Sequence, residues 1–222
     1  MTTPRPSSRE RIIDTAERLF AEHGLEGATL RQIAGAAGNA NNSAVQYHFG
    51  SKDQLLQAIF EQRLPRLSER RRELLAGREP SVRSSVEAQV RALLEESERD
   101  DSHYVSFVAM LLRHGRVDVL QSAPQDLLRD AWAFTDDLQQ ALDHLAEPLR
   151  GLRVSRASNV AIYAAADRQR ARQAGHPVPP FELELATLVD GIVGFLAAPM
   201  SPEAQEAAGL LGADAPLPPA LR

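Results

Sequence analysis

Asn42, Ser43, Ala44, Gln46 and His48 crowd into one short polar stretch whose side chains suit recognition better than bond breaking. The amides of Asn42 and Gln46 pair donor with acceptor in the pattern that adenine presents in a major groove. A hydroxyl can serve any base edge, and the Ala44 methyl can meet the methyl of thymine. On a short helix these groups face outward, while Val45 and Phe49, four apart, share the opposite side and anchor it. A polar short helix is also what an ordinary solvated face looks like, and helix-turn-helix shapes occur in proteins that bind no DNA. The pattern alone leaves both readings open.

Other chemistry is poorly provided for. The sequence has no Gly-x-Ser-x-Gly elbow, phosphate-binding P-loop or Gly-x-Gly-x-x-Gly fingerprint. The pairs Asp100-Asp101 and Asp136-Asp137 are adjacent, and neighbours in sequence do not share a helix face. His103 and His114 are too far apart on one helix to hold a metal jointly. Cysteine is absent, which removes disulfides, thiolate metal sites and cysteine nucleophiles together. We expect no enzymatic activity, no cofactor and no bound metal.

The chain has 222 residues and a formal net charge of −5. That length accommodates one sizeable core or two modest ones sharing a helix. Residues 1–64 hold equal numbers of basic and acidic side chains, so the whole excess of acid lies beyond them. The N-terminal part is the less acidic one without being basic, and charge does not identify a nucleic-acid partner. Lys52 is the only lysine. There is no apolar run of about 18 residues and no apolar N-terminal leader, so no membrane partner is expected and a cytoplasmic location fits.

The elements that position the polar stretch announce themselves by their starts. Ser7 and Glu10, Thr29 and Gln32, Ser43 and Gln46, and Ser51 and Gln54 each form a Ser/Thr-x-x-Glu/Gln capping box. The first predicted helix carries Ile12, Ile13, Ala16, Leu19 and Phe20 on one stripe and stops at His23-Gly24. A short second helix turns Leu30, Ile33, Ala34 and Ala37 inward and stops at Gly38. A third runs roughly from Asn42 to Phe49, and a fourth begins after Gly50-Ser51 with Leu55, Leu56, Ile59 and Phe60 on one face. Two short helices joined by a tight glycine-containing turn make a helix-turn-helix.

The runs Ala28–Ala34 and Val45–Leu56, which includes Tyr47-His48-Phe49-Gly50-Ser51-Lys52, resemble the N-terminal domain of the TetR family of bacterial regulators; Ala16–Gly24 resembles that family's first helix. The resemblance covers about 50 residues and implies a sequence-specific, DNA-binding transcriptional regulator. By default such a protein is a repressor released from its operator by a small-molecule effector, with activation left open. It implies that Thr29 and Arg31 meet phosphate and that Ser43, Ala44 and Gln46 read base edges. Tyr47 and His48 would contact the sugar-phosphate backbone, and Lys52 would anchor a phosphate beside a helix N-terminus. The turn Gly38–Asn42 is one residue longer than the family's usual spacing. Asn41 and Asn42 therefore remain open between base, phosphate and helix cap.

Beyond Phe60 no strand-like alternation occurs. The expected fold is all-α, with a helix-turn-helix head over residues 1–64 and a helical ligand-binding and dimerisation body over 65–222. The fourth helix should end or kink at Pro65. The arginine-rich stretch Arg66–Arg72 reads as a solvated face, with phosphate contact as the alternative. Gly77–Pro80 reads as a loop, and helices are expected over Val82–Ser97, His103–Arg113, Gln125–Leu149, Ser155–Ala174 and Glu182–Ala198, with a loosely ordered tail from Ala213. The last long helix carries Leu185, Leu188, Val189, Ile192, Val193 and Leu196 almost all round, with Gly191 and Gly194 among them. It should be buried on more than one side. It also resembles the family's final helix, which with the preceding one, here bearing Tyr163, forms a homodimer interface. In the family the middle helices enclose a small-molecule pocket. The mixture Tyr104, Phe107, Met110, Arg113, His114, Trp132 and Phe134 supplies its lining candidates, against an ordinary core role for each.

Overall fold

A computed structural model describes residues 7–38, 43–116, 118–119, 125–143, 145 and 147–210 of the chain. Among them the structure is helical: α1 (Ser8–Gly27), α2 (Leu30–Ala36), α3 (Ser43–Phe49), α4 (Lys52–Leu75), α5 (Val82–Ser97), α6 (Tyr104–Arg113), α7 (Gln125–Ala141), α8 (Glu147–Gln173), α9 (Phe181–Ala197) and α10 (Pro202–Leu210).

Local chemistry accounts for the first four. The Ser7 box closes, with Glu10 N–H donating to Ser7 Oγ at 3.2 Å and Ser7 N–H to Glu10 Oε2 at 2.7 Å. The Thr29 box closes in the same way through Gln32. Ser51 accepts from Gln54 N–H at 3.2 Å and caps α4. α3 differs from expectation: Ser43 is its first helical residue rather than its cap, and Asn42 lies outside the described residues. The stripe Ile12, Ile13, Ala16, Leu19 and Phe20 is buried as the spacing requires. Gly24, at φ 73°, breaks α1 ahead of a final turn that reaches Gly27. The left-handed backbone there explains why a residue without Cβ stands at that point.

Two helix boundaries depart from the sequence reading. α4 does not stop at Pro65 but continues to Leu75. Pro65 forfeits one backbone hydrogen bond, at a cost on the order of 3 kcal/mol. The second half of the helix nevertheless buries Leu67, Ser68 and Arg71 against its neighbours, and that packing outweighs the loss. The boundary expected at residue 64 therefore falls inside a continuous helix. The helix expected over Gln125–Leu149 is two, α7 and α8. Pro148 is the second residue of α8, in the first turn, where a proline is tolerated because the first N–H groups of a helix have no intrahelical partner. The chain turns after Ala141 and buries Leu142 and Leu145.

α10 was not anticipated either. Ser201 Oγ accepts from Ala204 N–H at 3.1 Å with Pro202 at the first helical position, a start signal legible in the sequence. Residues 211–222, the expected loose tail, lie outside the described residues.

In the body α5 is the central helix, packed on α4, α7, α8 and α9. α6 lies against both α1 and α8, so it joins head to body. The buried apolar residues form one continuous cluster from Ile12 to Leu196. Arg168 at the far end pins α9 to α8, donating to Pro179 O at 2.9 Å and pairing with Glu98 and Glu184.

Candidate nucleic-acid interface

Val45 and Phe49 are buried, and they turn the other face of α3 to solvent. Gln46 and His48 are exposed, and Tyr47 is 85% exposed, the most exposed large hydrophobic side chain among the described residues. Its ring meets the His48 ring edge-on at 5.3 Å. The backbone of Ser43 and Ala44 belongs to α3, but their side chains lie outside what the structure describes. The turn after α3 is tight. Gly50 has φ 67°, a left-handed backbone that favours glycine at the handover from α3 to α4.

The flanking residues are placed differently. Thr29 and Arg31 are exposed at the start of α2, although the Thr29 hydroxyl is already engaged, accepting from Gln32 N–H and donating to Gln32 Oε1 at 2.8 Å. Lys52, expected as a phosphate anchor, donates from Nζ to Leu25 O and sits 5.6 Å over the Phe20 ring. In the DNA-free protein it ties α4 to the end of α1. An ammonium has three donors, so a phosphate oxygen can share it. The arginines after Pro65 do not simply face solvent. Arg66 pairs with Glu96, Arg70 donates to Glu95 Oε2 at 2.7 Å, and Arg71 donates to Gln89 Oε1 at 3.1 Å, all on α5.

Head and body are joined by a buried polar cluster that the sequence reading missed. Arg63 on α4 donates to Glu17 of α1 through Nε (2.8 Å) and Nη2 (3.1 Å), to Asp14 Oδ1 (3.0 Å) and to Asp101 O (3.0 Å). The backbone N–H of His103 donates to Glu17 Oε1 at 2.5 Å. Burial pushes the Glu17 carboxyl above its ordinary range even with Arg63 beside it. The signal was present in the sequence, since Glu17 interrupts the apolar stripe at the position four after Ile13.

A cavity of about 100 Å³ lies between α4, α5, α6, α7 and α8. Trp132 and Phe134 line it, as expected, and so does Tyr104. Phe107, Met110 and Arg113 do not. Phe107 is fully buried where head meets body, its ring near those of Phe20 and Phe60, because α6 turns that face toward α1. Met110, Arg113 and His114 border a separate hollow against the end of α1. The first half of the cavity's α4 wall is Phe60, Leu64 and Leu67, and Arg71 continues it. Burial holds the Tyr104 phenol well above its ordinary pKa, so it stays protonated.

The residues expected at the dimer interface differ in burial. Leu185, Val189, Ile192 and Leu196 face inward onto α5 and α8, and Leu188, Val193 and Tyr163 are half-buried. The outward stripe of α9 is Leu183 (60% exposed) and Phe195 (44%), with Gly191 and Gly194 exposed, and Val160 is exposed on α8. A Cβ added at either glycine would meet nothing of this chain within 4 Å. No single described helix is long and apolar enough to cross a membrane.

Residues 12–59 match the family model described as bacterial regulatory proteins, tetR family. The chain is 32% identical over 197 residues to the HTH-type transcriptional repressor AcnR of Corynebacterium efficiens, covering 89% of this chain and 86% of that one. It is 30% identical over 197 residues to AcnR of Corynebacterium glutamicum, with the same coverage. Among solved structures it resembles a TetR-like transcriptional regulator from Rhodococcus sp. RHA1, with a TM-score of 0.60, 16% identity, and coverage of 89% of this chain and 100% of that chain.

Proposed function

Because the chain belongs to the tetR family of bacterial regulatory proteins, we propose that it is a homodimeric transcriptional repressor that leaves its operator when a small molecule fills the body cavity. It is a DNA-binding regulator and not an enzyme.

The observation that carries the reading is the geometry of α3. Two buried anchors hold a seven-residue helix so that Gln46, Tyr47 and His48 stand clear of the protein. In this reading Gln46, with Asn42, Ser43 and Ala44, meets base edges. Tyr47, His48, Thr29, Arg31 and Lys52 meet the sugar-phosphate backbone and set the register. Residues 1–64 form the reading head and 65–222 the ligand-binding and dimerisation body. Two heads would reach half-sites about 34–36 Å apart or a multiple of that. The exposed stripe Leu183–Phe195 with Val160 supports pairing through α8 and α9, its two glycines leaving room for a partner helix to approach closely. The protein would work in the cytoplasm, beside its operator.

Release follows from the continuity of α4. One helix carries Lys52 at the DNA end and Phe60, Leu64, Leu67 and Arg71 along the cavity wall. Lys52 and Arg71 are about 28 Å apart along its axis. An effector that fits the cavity better in the DNA-free arrangement shifts the population toward it, and α4 moves the head accordingly. The relatives named repressors favour repression over activation. A gel shift against the gene's own upstream region tests the reading. Retention on that fragment but not on a shuffled one at about 150 mM salt is expected, and equal retention on both would overturn it.

A further inference from the structure

We propose that the cavity beside Trp132 takes an uncharged, mostly apolar molecule whose hydrogen-bond acceptor, a ketone or ester oxygen, meets the Tyr104 phenol. This inference rests on the reading of that cavity as the effector site.

The wall offers a ligand no open charge. Arg71 is the one charged side chain among the described residues that line it, and its guanidinium is already engaged. Nη1 donates to Gln89 Oε1 at 3.1 Å and Nη2 to Ser68 Oγ at 2.9 Å, which holds the group between α4 and α5. Ser158 is engaged as well, donating to Val154 O at 3.0 Å. Most of the remaining wall is aliphatic or aromatic, from Phe60 and Leu64 through Val108 to Ile162. An ion placed there would give up its water without finding a counter-charge open to it, and that cost selects against charged ligands.

Tyr104 supplies the polar handle. The residue is 4% exposed, and its phenol oxygen makes no hydrogen bond to any described residue. Among those residues the sealed side-chain atoms without a partner are Ser106 Oγ and Asn159 Oδ1. The Tyr104 oxygen is not one of them, so it borders open space, and the space that this side chain lines is the cavity. Burial keeps the phenol protonated, so it can donate one hydrogen bond there. A ligand that presents an acceptor satisfies that donor, whereas a pure hydrocarbon buries it unpaired. The cavity volume of about 100 Å³ restricts the ligand to a single ring or a short chain.

Trp132 is the only tryptophan of the chain, so its emission reports on the cavity it lines. The full-length, DNA-free protein is titrated at neutral pH with cyclohexyl methyl ketone, methylcyclohexane and cyclohexanecarboxylate. The ketone carries an acceptor without charge, the hydrocarbon carries neither, and the carboxylate is ionised. The ketone should bind at least about tenfold tighter than the carboxylate. Tyr104→Phe should weaken the ketone about three- to tenfold and leave methylcyclohexane as tight as before or tighter. A merely structural loss would weaken both probes alike, and helical circular dichroism checks the fold of the variant. A carboxylate that binds as tightly as the ketone would overturn the proposal. So would a ketone that Tyr104→Phe weakens no more than the hydrocarbon, or one that leaves Trp132 emission unchanged to about 5 mM. Operator release is read separately. Ketone binding that leaves the operator complex intact would contradict the effector reading while leaving the ligand class standing.

Discussion

Arg63 Nε donates to Glu17 Oε2 at 2.8 Å, and both side chains are sealed from water, at 4% and 0% exposure. This pair is the mechanical joint between α1 and α4. Glu17 also accepts from the His103 backbone, which links α1 and α4 to the start of α6. Head and body are joined by a polar bracket as well as by apolar packing.

Removing one partner of that bracket leaves the other buried and uncompensated. Arg63→Met should lower unfolding free energy by about 3–5 kcal/mol, measured by urea denaturation. The double variant Arg63→Met/Glu17→Met should recover much of that loss, since an apolar pair has no charge to desolvate. A double variant no more stable than Arg63→Met alone would show that the two residues act independently.

Acid should loosen the joint from the His103 side. Burial holds this imidazole below its ordinary value of 6.5, so the unfolded chain accepts a proton before the folded one does. The associated stability is present above about 6.5 and is lost as pH falls through the window beneath it. Glu17 and Asp14 act in the opposite sense. Burial raises both carboxyls, so their protonation favours the folded state as pH falls further. Between about pH 7.5 and 5.5 the wild type should lose stability more steeply than His103→Gln, and equal slopes would remove His103 from the account.

The two faces of α9 should respond differently. Leu183→Glu with Phe195→Glu places charge on the exposed stripe and should convert a dimer to a monomer in sedimentation equilibrium, with little change in helix content. Ile192→Ala on the inward face should cost about 2–5 kcal/mol of stability and leave the paired state intact in the folded fraction. If the stripe variant stays dimeric, pairing uses another surface.

The head was legible because its determinants are local. Capping boxes, a glycine stop and an apolar stripe act over four to eight residues, and Ser7, Thr29, Ser51 and Gly24 behave as their sequence neighbours dictate. The body was less legible because its outcomes depend on partners distant in sequence. Pro65 stays helical because of what Leu67 and Arg71 bury against, which periodicity does not reveal. Hydrophobicity all round α9 marked burial on more than one side but could not say which side belonged to the chain itself. Phe107 had the composition of a cavity lining, yet α6 turns it toward Phe20 and Phe60. On α3 the anchors Val45 and Phe49 set the outward direction, so Gln46 and His48 could be read from spacing, while Tyr47 was singled out by the family resemblance.

The most direct test of α3 as the reading helix compares Gln46→Ala with Arg31→Ala in fluorescence anisotropy on the operator and on shuffled DNA across a salt series. Gln46→Ala should cost about 1–3 kcal/mol on the operator and almost nothing on shuffled DNA, narrowing selectivity. Arg31→Ala should weaken both alike and reduce the salt slope by about 1. Unchanged selectivity in Gln46→Ala would contradict the assignment of base reading to this residue, and wild-type protein that binds both DNAs equally would contradict the account as a whole.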